Sequence, residues 1–152
     1  MMNMSSQYPT ITCFCPLYKG GKFIEGYMED MVRQTIFPEV NSFILDCASP
    51  DNEVEVVNNY AKHNNITYLR LDKDPGLYAA WNVCINSTQG DFLSNWNVDD
   101  RKSPWSLEIM RDSLVLNEDV DLVYGNTIVS KKANEDWANL KSKATYICNE
   151  TN

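Results

Sequence analysis

The chain has few basic residues and a single histidine. Its 152 residues carry 13 Lys and Arg against 21 Asp and Glu, which gives a formal net charge of −8. A protein that binds duplex nucleic acid needs a surplus of Lys and Arg to neutralise phosphates, so we expect no nucleic-acid partner. With His63 as its only imidazole, the sequence offers no convincing Ser/His/Asp triad.

Other absences exclude further classes of protein. The five cysteines form no Cys-x-x-Cys pair, which argues against both a disulfide framework and a zinc site. Cys13 and Cys15 alternate along a predicted strand, so we expect buried free thiols and a reducing compartment. The sequence shows no signal-peptide pattern and no apolar run of membrane-spanning length, and we predict a cytoplasmic protein.

Strand patterns and helix patterns alternate along the chain. The predicted strands cover residues 10–15, 42–45, 66–71, 91–96 and 120–124, with helix patterns between them. This order predicts an α/β fold with a mostly parallel sheet and helices on both faces.

We predict a tail over residues 1–9, a ligand-binding domain over 10–130 and a truncated or short C-terminal extension over 131–152. Within that extension ANEDWANLKSK is a helix or a mobile loop, and ATYIC is a last short strand.

Polar stretches follow the first four predicted strands: PLYKGG, DCAS, DKDPG and NVDD. Open parallel sheets bind ligands beyond the carboxyl ends of their strands, so these loops predict one nucleotide-type crevice. Tyr18 either stacks on a base there or packs within its loop. Asp46 either binds a base or ribose, or forms an Asx turn with the residues that follow.

The NVDD stretch holds the strongest candidates for a metal site. Asp99 and Asp100 supply the carboxylate oxygens that Mg²⁺ and Mn²⁺ prefer, and such an ion offsets the charge of a diphosphate. Alternatively, the two acids begin a turn that caps the helix after Ser103. No G-x-G-x-x-G or G-x-x-x-x-G-K-[ST] pattern occurs, which disfavours standard dinucleotide and P-loop sites.

Four segments together resemble the inverting family 2 glycosyltransferases with the GT-A fold: TITCFCPLYK, ILDCASPDN, DKDPGLYAAWNVCINSTQGDFLSNWNVDD and DLVYGN. The resemblance runs over about residues 10–126. It implies a Rossmann-like GT-A sheet and a nucleotide diphosphate sugar as donor, often a UDP-sugar. The donor would be bound through Mn²⁺ or Mg²⁺ on Asp99 and Asp100, with Asn97 where the first acid of D-x-D often stands.

The same resemblance implies roles for other side chains. Tyr18 and Asp46 would contact the base, and Pro16 would shape the pocket. The loop and helix start near the ribose and sugar would come from Asp74, Gly76 and Asn82. Two positions depart from the family pattern: Cys47 replaces a frequent second acid, and Ala79 replaces a frequent Asp.

The catalytic base cannot be assigned from these motifs. The pair Glu135–Asp136 superficially resembles a catalytic acid pair but comes early in the chain.

We therefore keep two main hypotheses: a metal-dependent inverting glycosyltransferase, and a non-catalytic or partner-completed nucleotide-sugar-binding module without the acceptor half. A nucleotidyltransferase is disfavoured because no loop rich in Gly and Lys or Arg follows the first strand. The acceptor, whether saccharide, lipid or protein, is not specified, and an exposed sheet edge would favour a homo-oligomer.

Overall fold

A four-stranded parallel sheet forms the centre of the protein. The computed structural model describes residues 9–140 and the backbone of residues 145–146. The sheet order is β3-β2-β1-β4, and each of its three strand pairings is parallel. Its strands are β1 (Ile11–Leu17), β2 (Val40–Asp46), β3 (Ile66–Arg70) and β4 (Phe92–Asn95).

Helices cover both faces of this sheet, as predicted. They are α1 (Ile24–Val32), α2 (Glu53–Asn58), α3 (Leu77–Ser87) and α4 (Ser106–Leu116), with single 3-10 turns at Phe37–Glu39 and Trp137–Asn139. Alternating side chains of β1 divide the core, because successive residues of a strand point to opposite faces. Cys13 and Cys15 pack with α1, α2 and α4, whereas Phe14 packs with α3. Both thiols are free and buried, which confirms that prediction.

The predicted fifth strand over residues 120–124 is wrong. The backbone there forms neither strand nor helix, and the two large side chains Leu122 and Tyr124 are 77% and 65% exposed. A strand needs one covered face to bury its apolar side chains, and the part of the chain that the structure describes leaves these two side chains exposed. It instead lies beside β4 and α4, where residues 121–123 line a small apolar groove.

The chain after residue 126 returns to α1. β5 (Thr127–Ile128) pairs antiparallel with β6 (Thr145–Tyr146), which confirms part of the predicted last strand. Residues 130–140, called the strap below, contain one 3-10 turn. Of the two alternatives predicted for ANEDWANLKSK, the helix does not form in its described part. Most of the predicted tail (residues 1–8), the end of ANEDWANLKSK and the rest of ATYIC lie outside the described residues. Among the helices that the structure describes, none combines the length and apolar character that a bilayer crossing requires.

Candidate functional site

A pocket of about 250 Å³ opens at the carboxyl ends of β1 and β2, beside the start of α3. It contains four of the residues that the sequence predicts for nucleotide-sugar binding, namely Pro16, Tyr18, Asp74 and Gly76. The loops after three different strands therefore meet at one place, as the strand-end rule requires. The full lining is Pro16, Leu17, Tyr18, Cys47, Asp74, Gly76, Leu77 and Ala80.

The loop before α3 holds its own shape. The exposed Asp74 accepts a hydrogen bond from the backbone N–H of Gly76 through Oδ1 at 2.8 Å. Gly76 has a φ of +82°, a left-handed conformation that is readily adopted only without a Cβ. The turn DKDPG thus delivers α3 to the pocket, and a glycine is required at its last position.

Buried polar groups hold the loop that carries Tyr18. The backbone N–H of Lys19 donates to Ser49 Oγ at 2.8 Å, and that of Gly20 donates to Glu53 Oε1 at 2.8 Å. Ser49 Oγ also donates to Glu53 Oε1 at 2.5 Å, and Glu53 is fully buried at 0% exposure. The start of α2 therefore fixes the wall of the pocket, a role that the sequence did not predict for Ser49 or Glu53.

Asp46 lies buried below this loop and is not among the residues that line the pocket. Its carboxylate accepts hydrogen bonds from the N–H of Ser49 at 2.7 Å, from the Tyr68 hydroxyl and from the Arg70 guanidinium. Burial raises the pKa of Tyr68 to about 12, and the hydrogen bond to Asp46 adds to that effect. The contact with Ser49 agrees with the predicted Asx turn, while the predicted contact with a base stays a prediction.

The NVDD stretch forms a tight turn directly after β4. The Asp100 N–H donates to the Asn97 carbonyl at 3.1 Å, and the Asn97 side-chain amide donates to Asp100 Oδ2 at 3.1 Å. The buried Trp96 indole donates to the Asp100 carbonyl at 2.9 Å. The carboxylates of Asp99 and Asp100 remain exposed at the edge of the sheet.

This donor set suits a hard divalent cation. Two carboxylates and an amide oxygen leave positions for phosphate oxygens and water, as Mg²⁺ sites usually do. Within the described residues no group of three or more His, Cys, Asp or Glu side chains converges. The turn also touches the Tyr18 loop, since a Cβ on Gly20 would lie 3.1 Å from Val98 Cγ1.

The remaining candidate residues lie elsewhere or differ in chemistry. Asn82 and Ala79 are exposed on α3 and do not line the pocket. Cys47 does line it, and its thiol donates to the Leu45 carbonyl at 3.6 Å. Burial raises the pKa of Cys47, with further contributions from Asp74 and Asp46, so this thiol is neutral at pH 7.

The pair Glu135–Asp136 belongs to the strap. Glu135 accepts a hydrogen bond from the Ser130 hydroxyl. Asp136 caps the 3-10 turn through the N–H of Ala138 at 3.1 Å and contacts Arg33, directly after α1, at 3.4 Å. Both carboxylates are thus engaged in holding the strap, and the catalytic base stays unassigned.

Similar proteins of known sequence are glycosyltransferases. Glycosyltransferase GlyG of Streptococcus pneumoniae is 25% identical over 117 residues, which cover 76% of this chain and 38% of that protein. The hyaluronan synthase of Pasteurella multocida is 20% identical over 119 residues, covering 78% of this chain and 12% of that protein. The chain therefore spans well under half of these relatives.

Solved structures with the same fold confirm the GT-A prediction. The crystal structure of S. aureus TarS 1-349 in complex with UDP-GlcNAc aligns with a TM-score of 0.68 at 19% identity, over 72% of this chain and 32% of that one. The mannosyltransferase PcManGT from Pyrobaculum calidifontis, in complex with GDP-Man and Mn²⁺, aligns with a TM-score of 0.59 at 19% identity, over 65% and 30%. The model of the family named glycosyl transferase family 2 matches residues 12–150, and the chain belongs to that family.

Proposed function

We propose that this chain is the donor-binding part of a metal-dependent, inverting glycosyltransferase that uses a nucleotide diphosphate sugar, specifically a UDP-sugar. The observation that carries the proposal is the pocket at the carboxyl ends of β1 and β2, with the exposed acidic turn of Asp99 and Asp100 beside it. Family membership and the nucleotide sugars bound by TarS and PcManGT support the same donor class.

The pocket residues divide into a base side and a sugar side. Tyr18 is 46% exposed at the mouth, with Lys19 Nζ 5.1 Å from the centroid of its ring, and Pro16 forms the adjoining wall. The ring face away from Lys19 would stack on a base. Asp74 is the one acidic side chain in the lining. In this proposal its carboxylate accepts hydrogen bonds from ribose or sugar hydroxyls, on the side of the pocket where Gly76 lies. Two further contacts predicted from the sequence, Asp46 to the base and Asn82 to the sugar, require these side chains to reach a ligand from outside the lining.

Asp99 and Asp100 would hold Mn²⁺ or Mg²⁺, and the Asn97 amide would supply a weaker or water-mediated contact. When bound, the ion offsets the negative charge that develops on the departing diphosphate. An acceptor hydroxyl attacks the anomeric carbon from the opposite side, and the bond from that carbon to the diphosphate oxygen breaks. A general base must take the hydroxyl proton.

The second candidate is a nucleotide-sugar-binding module that transfers nothing alone or is completed by another chain. It is favoured by the contacts of Glu135 and Asp136, because both carboxylates are bonded to groups that hold the strap. β3 and β4 each have one outer edge without a paired strand in the described part of the chain. Such edges favour self-association, so a homo-oligomer is part of this second proposal.

Calorimetric titration with UDP, GDP, UDP-GlcNAc and GDP-mannose, each with and without Mn²⁺, tests the donor proposal. We expect tightest binding for a uridine nucleotide with Mn²⁺ present. Tighter binding of a guanosine nucleotide would overturn the UDP assignment, and no binding of any nucleotide would overturn the donor site. Transfer to added saccharides favours the enzyme, whereas binding with only slow donor hydrolysis favours the module.

A further inference from the structure

Arg101 directly follows the two exposed acids and points away from them, into α1. Its guanidinium forms a two-pronged contact with Asp30, with Nε to Oδ2 at 2.6 Å and Nη2 to Oδ1 at 2.7 Å. Asp30 is 3% exposed and the Arg101 side chain 11% exposed. Parallel hydrogen bonds between a guanidinium and a carboxylate are strong and directional, so the pair fixes the chain next to Asp100.

Asp30 also holds the backbone of this segment. Its Oδ2 accepts a hydrogen bond from the N–H of Lys102 at 3.0 Å. In the turn that follows α1, the Gln34 side-chain amide donates to the Ser103 carbonyl at 2.9 Å. The chain after the acidic turn is therefore fastened to α1, while Trp96 fastens the Asp100 carbonyl from the side of the sheet.

The other end of the guanidinium binds the strap. Arg101 Nη1 donates to the main-chain and side-chain oxygens of Asn134, both at 3.1 Å. The contact is close packed, since a Cβ on Gly26 would lie 2.0 Å from Asn134 Oδ1 and 2.7 Å from Arg101 Nη1. All three guanidinium nitrogens thus have acceptors within the protein, which argues against Arg101 as a direct ligand of a diphosphate.

We propose that Arg101 is a positioning residue, which sets the geometry of the metal-binding turn by anchoring it to Asp30 on α1 and to Asn134 in the strap. This inference rests on the proposed donor site at Asp99 and Asp100. Carboxylates bind a divalent cation well only when their orientation is fixed by neighbouring contacts. The planar guanidinium supplies that fixed geometry, and an ammonium group does not.

The test uses Arg101→Lys, which keeps the charge and loses the two-pronged geometry, together with Asp30→Asn as a second variant. Arg33→Gln is the matched control, because Arg33 directly follows α1 and also contacts the strap through Asp136, but it makes no contact with the acidic turn. Three quantities are measured by calorimetry and hydrogen exchange: Mn²⁺ affinity with UDP present, UDP affinity without metal, and exchange of the Lys102 amide in metal-free protein.

We expect Arg101→Lys to weaken Mn²⁺ affinity by about tenfold, the usual effect of removing a contact that orients a metal ligand. Exchange at the Lys102 amide rises in the same variant, while UDP affinity without metal changes by less than about twofold. Asp30→Asn shows the same pattern, and Arg33→Gln leaves all three quantities within about twofold of the unmodified chain.

Unchanged Mn²⁺ affinity in Arg101→Lys, with the unmodified chain binding normally, overturns the positioning role and leaves the donor site standing. Equal losses in Arg101→Lys and Arg33→Gln, or equal losses with and without metal, overturn it as well, because they indicate general loosening of the fold. Failure of the unmodified chain to bind Mn²⁺ and UDP together overturns the proposed function and this inference with it.

Discussion

The backbone N–H of Gly20 donates to the fully buried carboxylate of Glu53 at 2.8 Å, which joins the loop after β1 to the start of α2. The same carboxylate oxygen accepts from Ser49. Its second oxygen has no hydrogen-bond partner among the residues that the structure describes. A buried carboxylate is unfavourable unless it makes such contacts, and these two hydrogen bonds are what joins Glu53 to the pocket wall.

Replacing Glu53 tests this dependence. Glu53→Ala leaves the Gly20 N–H and the Ser49 hydroxyl without their acceptor, and we expect a loss of about 2 kcal/mol in the free energy of unfolding. The control is Glu55→Ala in the same helix, where the side chain is exposed and the expected change is below about 0.5 kcal/mol. Urea unfolding measures both values, and similar values for the two variants would contradict the proposed role of Glu53.

Tyr68 gives a prediction about alkaline pH. Burial raises its pKa in the folded protein to about 12, with a further rise from its hydrogen bond to Asp46, against about 10 in the unfolded chain. The folded state therefore binds this proton more tightly. The contribution of Tyr68 to stability is complete below pH 10 and is lost as the pH rises through about 12.

The measurement compares the stability of the unmodified chain with that of Tyr68→Phe from pH 9 to pH 12. We expect stability to fall less steeply in the variant over this range. Identical slopes would show that the Tyr68 phenol ionises alike in the folded and unfolded states.

Substitution of Gly76 is predicted to lower the stability of the fold because of the backbone conformation at this position. A Cβ there meets no atom within 4 Å, so the expected loss of about 1 kcal/mol for Gly76→Ala comes from its φ of +82° alone. Gly125→Ala serves as control, because its φ lies outside the left-handed region and its Cβ meets only the flexible end of Met110 at 3.3 Å. A thermal-unfolding scan that finds Gly76→Ala as stable as the control would refute the conformational argument.

The opposite substitution is expected to stabilise the loop after β2. Ala48 has a φ of +58°, a left-handed conformation that disfavours any residue with a Cβ. We expect Ala48→Gly to raise the free energy of unfolding by about 0.5 kcal/mol, after the greater entropy of glycine in the unfolded chain is subtracted. Ala79→Gly, in the exposed face of α3, is expected to lower it by about 1 kcal/mol. A loss for both variants would contradict the interpretation of Ala48.

The four paired strands were predictable because each combines apolar side chains with a turn signal at its end. The alternation of strands and helices also predicted that loops after successive strands meet at the carboxyl edge of the sheet. Four residues of these loops line one pocket there: Pro16, Tyr18, Asp74 and Gly76. The stretch 120–124 has the same local composition as a strand, but no described residue covers the exposed side chains of Leu122 and Tyr124. Whether such a segment pairs depends on neighbours that composition does not reveal.

The supports of the site were harder to predict. Ser49 and Glu53 stand in a stretch, ASPDNE, that locally indicates only a helix start. Their hydrogen bonds to Lys19 and Gly20 join residues that are 30 and 33 positions apart. Arg101 is similar, because its partner Asp30 lies 71 positions away on α1. Sequence spacing identifies residues near strand ends, but contacts between distant segments depend on the three-dimensional packing of α1 and α2.

The most direct test of the donor site is the Mn²⁺ dependence of UDP binding in three proteins, measured by calorimetry. They are the unmodified chain, Asp99→Asn, and the control Asp119→Asn, which removes another exposed acid, after α4. We expect Mn²⁺ to strengthen UDP binding at least about tenfold in the unmodified chain and in the control, and to have no effect in Asp99→Asn. Equal strengthening in Asp99→Asn, or none in the unmodified chain, would contradict the assignment of the acidic turn as the metal and diphosphate site.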